Sequence, residues 1–132
     1  MENNKSNLSY EESDRSLYEE LKVKPSSPFY NKNFAEIFYF SVCYAYSKKL
    51  VLKKIKKKAP NIPISALGEK FNFLRALVIG LKKDYEILYE EKKTHEILEK
   101  YAREGVRAIH REVFKENGDF LKKLLKEVNK SL

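Results

Sequence analysis

The sequence has 132 residues, of which 42% are apolar, so it is long enough to bury a core and form a single domain. The net charge is +8, and the single cysteine excludes both an internal disulfide and a cage of thiolate metal ligands. The first residues are polar, and no apolar run approaches the roughly 20 residues of a membrane span, so we expect a cytoplasmic protein without a secretory signal.

Lysine and glutamate are abundant in the chain, whereas glutamine and tryptophan are absent. This composition fits a protein from a thermophile. A genome with AT-rich codons would produce the same bias, so the composition leaves both origins open.

The first predicted element is a short helix near the start of the chain. We expect residues 1–8 to form a flexible tail. Ser9 and Glu12 have the spacing of a capping box, in which each side chain satisfies the other's backbone amide, and this predicts a helix to about Lys22. Pro25 and Pro28 then end it, because proline and the residue before it disfavour helical backbone.

The central predicted element is an apolar helix from residue 33 to about residue 49. Of residues 34–46, only one glutamate and one serine are plainly polar, so apolar side chains would point in every direction. A helix with this pattern is buried on all sides. We therefore expect the other helices to pack around it.

The next stretch is rich in lysine, and the pattern leaves its conformation open. Either the central helix continues through the lysines, or it stops near Lys49 and an irregular chain follows, which is the alternative that we favour. Pro60 and Pro63 argue against regular structure from Ala59 to Ile62. We therefore expect a basic loop near residues 48–63.

Further helices are predicted in the second half of the chain, and no segment alternates over the length of a strand. We therefore predict an all-α fold, a compact bundle-like domain of five or six helices around the central apolar helix, formed by residues 9–132. The periodicity and the capping residues place the later helices from Glu69 to about Lys82, after Asp84, from Thr94 to about Phe114, and after Asp119.

Gly105 lies inside the longest predicted helix, on the same apolar stripe as Tyr101. Glycine in a helix interior costs about 1 kcal/mol relative to alanine. Close packing of another helix at this point would explain the glycine. We interpret Tyr101 and Gly105 as the face that meets a protein partner.

No arrangement of residues matches a catalytic, metal or cofactor site. His95 and His110 would lie about 22 Å apart on one helix, too far to share a metal ion or a proton. His95 and Glu99 have the spacing of a helical metal-binding pair, but the sequence offers no third ligand. We therefore expect no catalytic residues, no metal and no cofactor, and we interpret the protein as non-enzymatic.

The lysine-rich stretch, residues 48–58, has the plainest functional interpretation. It holds seven lysines and no acid, and so seven of the eight net positive charges. Clustered lysines attract the phosphates of DNA or RNA without reading sequence. An acidic protein, an anionic membrane surface or plain solvation would use the same residues. We predict nucleic-acid contact for Lys48, Lys49, Lys53, Lys54, Lys56, Lys57 and Lys58.

Three arginines recur every four residues along the longest predicted helix: Arg103, Arg107 and Arg111. They alternate with glutamates, and helical residues three or four apart form ion pairs. We therefore interpret them as an ion-paired surface rather than as a second track for phosphates.

Four blocks of the sequence resemble a known family: Ile37-Phe-Tyr-Phe-Ser-Val-Cys-Tyr-Ala-Tyr46, Leu74-Arg-Ala-Leu-Val-Ile79, Asp84-Tyr-Glu-Ile-Leu88 and Glu99-Lys-Tyr-Ala-Arg-Glu-Gly-Val106. They are similar to blocks in small prokaryotic proteins encoded beside DNA phosphorothioation and related restriction systems. In that family the first block usually ends in Gly-Tyr and the last reads Glu-Glu-Tyr-Ala-Asn-Gly-Gly. Here Ala45-Tyr46 and Arg103-Glu104-Gly105 stand at those places.

The resemblance implies an accessory protein of a DNA modification or defence system, with no catalytic residues to carry over. Together with the lysines, it gives our first hypothesis, a DNA-associated accessory protein that binds the phosphate backbone. Its partners would be DNA or RNA and a protein subunit of the system. The alternative is a helical protein-interaction adaptor or oligomer that does not bind nucleic acid.

Overall fold

The computed structural model of the chain describes residues 7–82 and 91–115. The helices expected after Asp84 and after Asp119, and the first six residues of the expected tail, lie outside this range. In chain order the elements are strand β1 (Asn7–Glu11), a 3-10 turn (Glu12–Asp14), helix α1 (Arg15–Val23), helix α2 (Phe34–Lys48), strand β2 (Lys58–Pro63), helix α3 (Ile64–Leu67), helix α4 (Glu69–Lys82) and helix α5 (Glu91–Lys115).

Helix α2 confirms the predicted central apolar helix. A capping box begins it: the Glu36 N–H donates to the Asn33 side chain at 2.8 Å, and the Asn33 N–H donates to the Glu36 carboxylate at 3.2 Å. The left-handed backbone of Lys49, with φ 55°, ends it. Eight of its 15 residues are buried, as an all-round apolar helix requires.

Helices α2 and α5 approach each other closely at Gly105. A Cβ atom at this position would lie 1.8 Å from the carbonyl oxygen of Ser41 in α2. Only a residue without a side chain lets the two backbones come this close. This contact confirms the prediction that another helix packs at Gly105.

The predicted all-α fold class is wrong, because β1 and β2 form a two-stranded antiparallel sheet. Leu8 pairs with Ile62 and Tyr10 pairs with Ala59, so two residues of β2 lie opposite one residue of β1 between these pairs. Pro60 lies in this bulge, where its missing N–H breaks no regular ladder. Residues 7–82 and 91–115 therefore form a mixed fold in which five helices and a small sheet share one core.

The predicted capping box at Ser9 and Glu12 is also wrong. Ser9 lies within β1, and α1 begins only at Arg15, after the 3-10 turn. The strand already starts at Asn7, inside the segment predicted as a tail, and Leu8 is fully buried. Burial of the strand therefore overrides the local helix signal in these residues.

Aromatic packing holds β1 against the helices. The Tyr10 ring stacks on Tyr18 of α1 with centroids 4.8 Å apart, and Phe34 at the start of α2 contacts both rings. These three rings join the sheet, α1 and α2 into one core. Among the helices of the described residues, none is long and apolar enough to cross a membrane.

Candidate functional site

The lysine segment, residues 48–58, lies on the surface between α2 and β2. Lys48 is the last residue of α2, Lys58 is the first residue of β2, and residues 50–57 form an irregular connection. The remaining residues of the expected loop, 58–63, form β2. All seven predicted contact residues are exposed: Lys48, Lys49, Lys53, Lys54, Lys56, Lys57 and Lys58.

Backbone hydrogen bonds fix both ends of the lysine segment. At the first end, the Leu50 N–H donates to the carbonyl of Ala45 at 3.0 Å. At the other end, the Glu12 N–H donates to the carbonyl of Lys57 at 2.8 Å, which extends the strand pairing into the segment. Leu52 also packs against the core between these points. The lysines are therefore held on an anchored backbone.

The lysine side chains differ in their partners. Lys57 pairs with Glu12 at 3.1 Å on the open surface, and Lys58 pairs with the buried Glu99 at 2.8 Å. Lys48 lies over the ring of Tyr44, 5.9 Å from its centroid. Within the part of the chain that the structure describes, no acidic side chain pairs with the remaining four: Lys49, Lys53, Lys54 and Lys56.

An acid–arginine network lies beside the segment and joins β1 to α5. Arg103 Nε donates to Glu11 Oε1 at 2.7 Å, and Arg107 Nη2 donates to Glu11 Oε2 at 3.1 Å. Arg107 Nε also donates to Asp14 Oδ1 at 2.9 Å. Both arginines are ion-paired, as predicted, but these partners lie on β1 and the 3-10 turn rather than three or four residues away on the same helix. The prediction of an exposed surface is wrong for Arg103, which is buried together with Glu11 and Asp14.

The network keeps Glu11 ionised. Burial alone would raise the pKa of Glu11, but hydrogen bonds from Arg103, Ser13 and the Lys56 backbone lower it to about 2. Burial raises the pKa of Asp14, against the opposing attraction of Arg107. Glu11 is therefore a fixed negative charge that binds both arginines and accepts from the Lys56 N–H at 3.4 Å.

Sequence reasoning missed Glu11 and Asp14 because their partners lie far away in the chain. Glu11 and Arg103 are 92 positions apart, and Asp14 and Arg107 are 93 positions apart. The available signal was the spacing of Arg103 and Arg107, which puts both guanidinium groups on one side of a helix.

A cleft of about 520 Å³ opens at the β2 end of the lysine segment. It is lined by the sheet on one side and by the first turns of α5 on the other. The lining residues are Asn7, Ser9, Lys58 and Pro60 from the strands, and Glu91, Lys92, His95 and Glu99 from the helix. Lys58 therefore belongs both to the lysine segment and to the cleft.

His95 and Glu99 are the buried ionisable side chains of the cleft. Glu99 Oε2 accepts from the Ser9 N–H at 2.8 Å, and Glu99 Oε1 pairs with the Lys58 ammonium at 2.8 Å. Burial raises the pKa of Glu99 and lowers the pKa of His95, so each shifts towards its neutral form. Across residues 7–82 and 91–115, no group of three or more His, Cys, Asp and Glu side chains could hold a metal ion.

The predicted partner face at Tyr101 and Gly105 points into the domain. Gly105 is buried against Ser41, and Tyr101 is buried with its ring 6.3 Å from that of Tyr46. Helix α2 of the same chain thus occupies the space in front of Gly105. Contact of these two residues with a partner stays a prediction, and it would require the partner to displace α2.

Comparison with known proteins gives one finding. The profile of a family described as DNA sulphur modification system-associated protein 4 matches residues 11–131. No curated protein and no solved structure gave a match. The matched range includes the lysine segment, the acid–arginine network and most of the residues around the cleft.

Proposed function

The chain belongs to the family of DNA sulphur modification system-associated protein 4, and from this premise we propose a specific role. The protein is a non-enzymatic accessory component of such a system, and it binds the phosphate backbone of DNA through the lysine segment. Its association with a DNA sulphur modification system follows from the family, whereas DNA contact is our proposal.

The observation that carries this proposal is a set of exposed lysines that have no acidic partner among residues 7–82 and 91–115. Lys53, Lys54 and Lys56 lie within four consecutive positions on a backbone that is anchored at both ends. An ammonium group that is already ion-paired has to lose its partner before it can bind a phosphate. These three lysines have no such partner in the described part of the chain. Their positions are therefore suited to neutralising successive phosphates.

The chemistry of lysine predicts what kind of binding this is. Lysine acts as a point charge and makes poor bidentate contacts with base edges. Binding through this segment should therefore depend strongly on salt and weakly on DNA sequence. Lys57 and Lys58 can join the contact only by exchanging Glu12 and Glu99 for a phosphate.

Fluorescence anisotropy of a labelled DNA duplex, titrated with protein at several salt concentrations, tests the proposal. The test variant is Lys53→Ser, Lys54→Ser, Lys56→Ser. The matched control is Lys24→Ser, Lys32→Ser, Lys70→Ser, which removes three exposed lysines elsewhere. Both variants lower the net charge from +8 to +5, so any difference between them reports position rather than total charge.

We expect the test variant to lose about 2.7 units of slope in a plot of log K against log salt concentration, at about 0.9 per phosphate contact. The control should keep a slope within about one unit of the wild type. Equal losses in the two variants would mean that total charge, not the segment, drives binding. No binding at low salt would refute DNA contact and favour the adaptor hypothesis.

A further inference from the structure

We propose that the cleft beside Lys58 binds one nucleobase that carries an exocyclic amine, taken from a DNA strand whose phosphates follow the lysine segment. This inference rests on the proposed function, because the lysines bring the strand to the cleft. It adds a base-binding site to a surface that otherwise contacts only the backbone.

The size and lining of the cleft fit a planar heterocycle. Its volume of about 520 Å³ lies within the roughly 300–1,000 Å³ of small-molecule sites, which combine apolar walls with a few placed polar groups. Pro60 supplies an apolar ring surface. His95, whose own ring is held edge-on to Phe71 with centroids 5.8 Å apart, supplies a second ring.

The charges of the cleft favour a neutral group over a phosphate. The two acids Glu91 and Glu99 balance the two lysines Lys58 and Lys92. Burial holds His95 towards its neutral form. A phosphate would therefore find little net attraction in the cleft. Lys53, Lys54 and Lys56, which have no acidic partner among the described residues, attract it more strongly.

Hydrogen-bonding groups in the cleft match an amine-bearing base. The Glu99 carboxylate is an acceptor that the Ser9 N–H and the Lys58 ammonium hold in position. Neutral His95 offers one further acceptor and one donor. Adenine, cytosine and guanine each carry an exocyclic amine that donates hydrogen bonds, whereas thymine carries none.

Continuity between the two surfaces connects the base to the strand. Lys58 closes the lysine segment and lines the cleft, so phosphates bound along the segment lead to the cleft. A base enters such a site only after it leaves the stack, which is easiest for an unpaired nucleotide. We therefore expect tighter binding to single-stranded DNA than to an intact duplex of the same length.

The test uses 2′-deoxynucleosides, which carry a base and no phosphate. The chain has two histidines, so NMR signals of the imidazole carbon-bound protons separate readily, and a His110→Asn variant assigns them. His110 pairs with Glu20 at 2.6 Å and lies outside the cleft, so its signal is an internal control. Each of the four nucleosides is titrated into the full-length protein.

We expect deoxyadenosine, deoxycytidine or deoxyguanosine to shift the His95 signal saturably, with a Kd of about 0.1 mM from the binding energy per atom typical of small ligands. The His110 signal should not move. Glu99→Gln should weaken binding about tenfold, because an amide donor replaces one of the two acceptor oxygens, while its neighbour variant Glu96→Gln should not. Deoxythymidine should bind least.

Three results would overturn the inference. They are the absence of any saturable shift, equal shifts of the two histidines, and deoxythymidine binding as tightly as the other nucleosides. If nucleosides do not bind but DNA binding still depends on salt and on the lysine segment, only the base-binding role of the cleft is refuted. Nucleoside binding without any DNA binding at low salt would instead refute the proposed function.

Discussion

Replacement of Glu11 by glutamine tests the acid–arginine network that joins β1 to α5. The glutamine amide would keep an acceptor for Arg103 but remove the negative charge between Arg103 and Arg107. The network lowers the pKa of Glu11 from 4.5 to about 2. At about 1.36 kcal/mol per pKa unit, the ionised carboxylate stabilises the fold by roughly 3 kcal/mol. This agrees with the roughly 3–5 kcal/mol measured when one partner of a buried ion pair is removed.

The pH dependence follows from the direction of the shift. Because the pKa of Glu11 is lower in the folded than in the unfolded chain, its contribution is fully present above pH 4.5. The contribution disappears as the pH falls towards 2. Glu11→Gln should therefore lower the free energy of unfolding by about 3 kcal/mol at pH 7, and by progressively less between pH 4.5 and pH 2.

Urea denaturation followed by circular dichroism at pH 7, 4 and 3 measures this difference. Glu12→Gln is the matched control, because Glu12 is the next residue and also forms an ion pair, but an exposed one with Lys57. An exposed pair contributes only about 0.2–1 kcal/mol. The reasoning is refuted if Glu11→Gln lowers the free energy of unfolding at pH 7 no more than Glu12→Gln does. It is also refuted if the decrease caused by Glu11→Gln is as large at pH 3 as at pH 7.

Three further predictions concern the central helix. Gly105→Ala should lower the free energy of unfolding by about 3 kcal/mol or more in urea denaturation, because the added Cβ would lie 1.8 Å from the Ser41 carbonyl oxygen; a near-neutral effect would contradict the close helix approach. Asn33→Ala should lower the free energy of unfolding by about 1 kcal/mol, because it removes the N-cap of α2, whereas Asn33→Asp should keep most of this stability. Burial raises the pKa of the Cys43 thiol to about 11, so at pH 8 it should react with a thiol reagent about 100-fold more slowly than in urea; equal rates would show that Cys43 is accessible.

The helices could be predicted from the sequence because their signals are local. The apolar run after Asn33 predicts both ends of α2 to within one residue of the observed bounds. The periodic apolar stripe predicts the observed bounds of α4. The capping interaction, the apolar stripe and the glycine at position 105 each depend on residues within a few turns. Gly105 also indicated a tertiary contact, since a glycine inside a helix needs a packing reason.

The sheet could not be predicted because its signals are not local. β1 and β2 are five and six residues long and lie far apart in the chain, and β2 contains two prolines. Only the pairing shows that Pro60 falls in a bulge, where it is tolerated. The cleft depends on the same pairing, because it brings Ser9 and Lys58 to the side of α5.

The position of two acids explains why Lys53, Lys54 and Lys56 have no acidic partner among the described residues. Glu11 and Asp14 are close in sequence to residues that pair with the segment, yet both are buried and bind the arginines of α5. Arginine suits this role because its planar fork bonds two carboxylates at once and remains charged when buried. Neither acid is therefore available to pair with Lys53, Lys54 or Lys56. Glu11→Gln should accordingly lower the free energy of unfolding without changing the salt dependence of DNA binding. Replacement of Lys53, Lys54 and Lys56 by serine should reduce the salt dependence of DNA binding without lowering the free energy of unfolding.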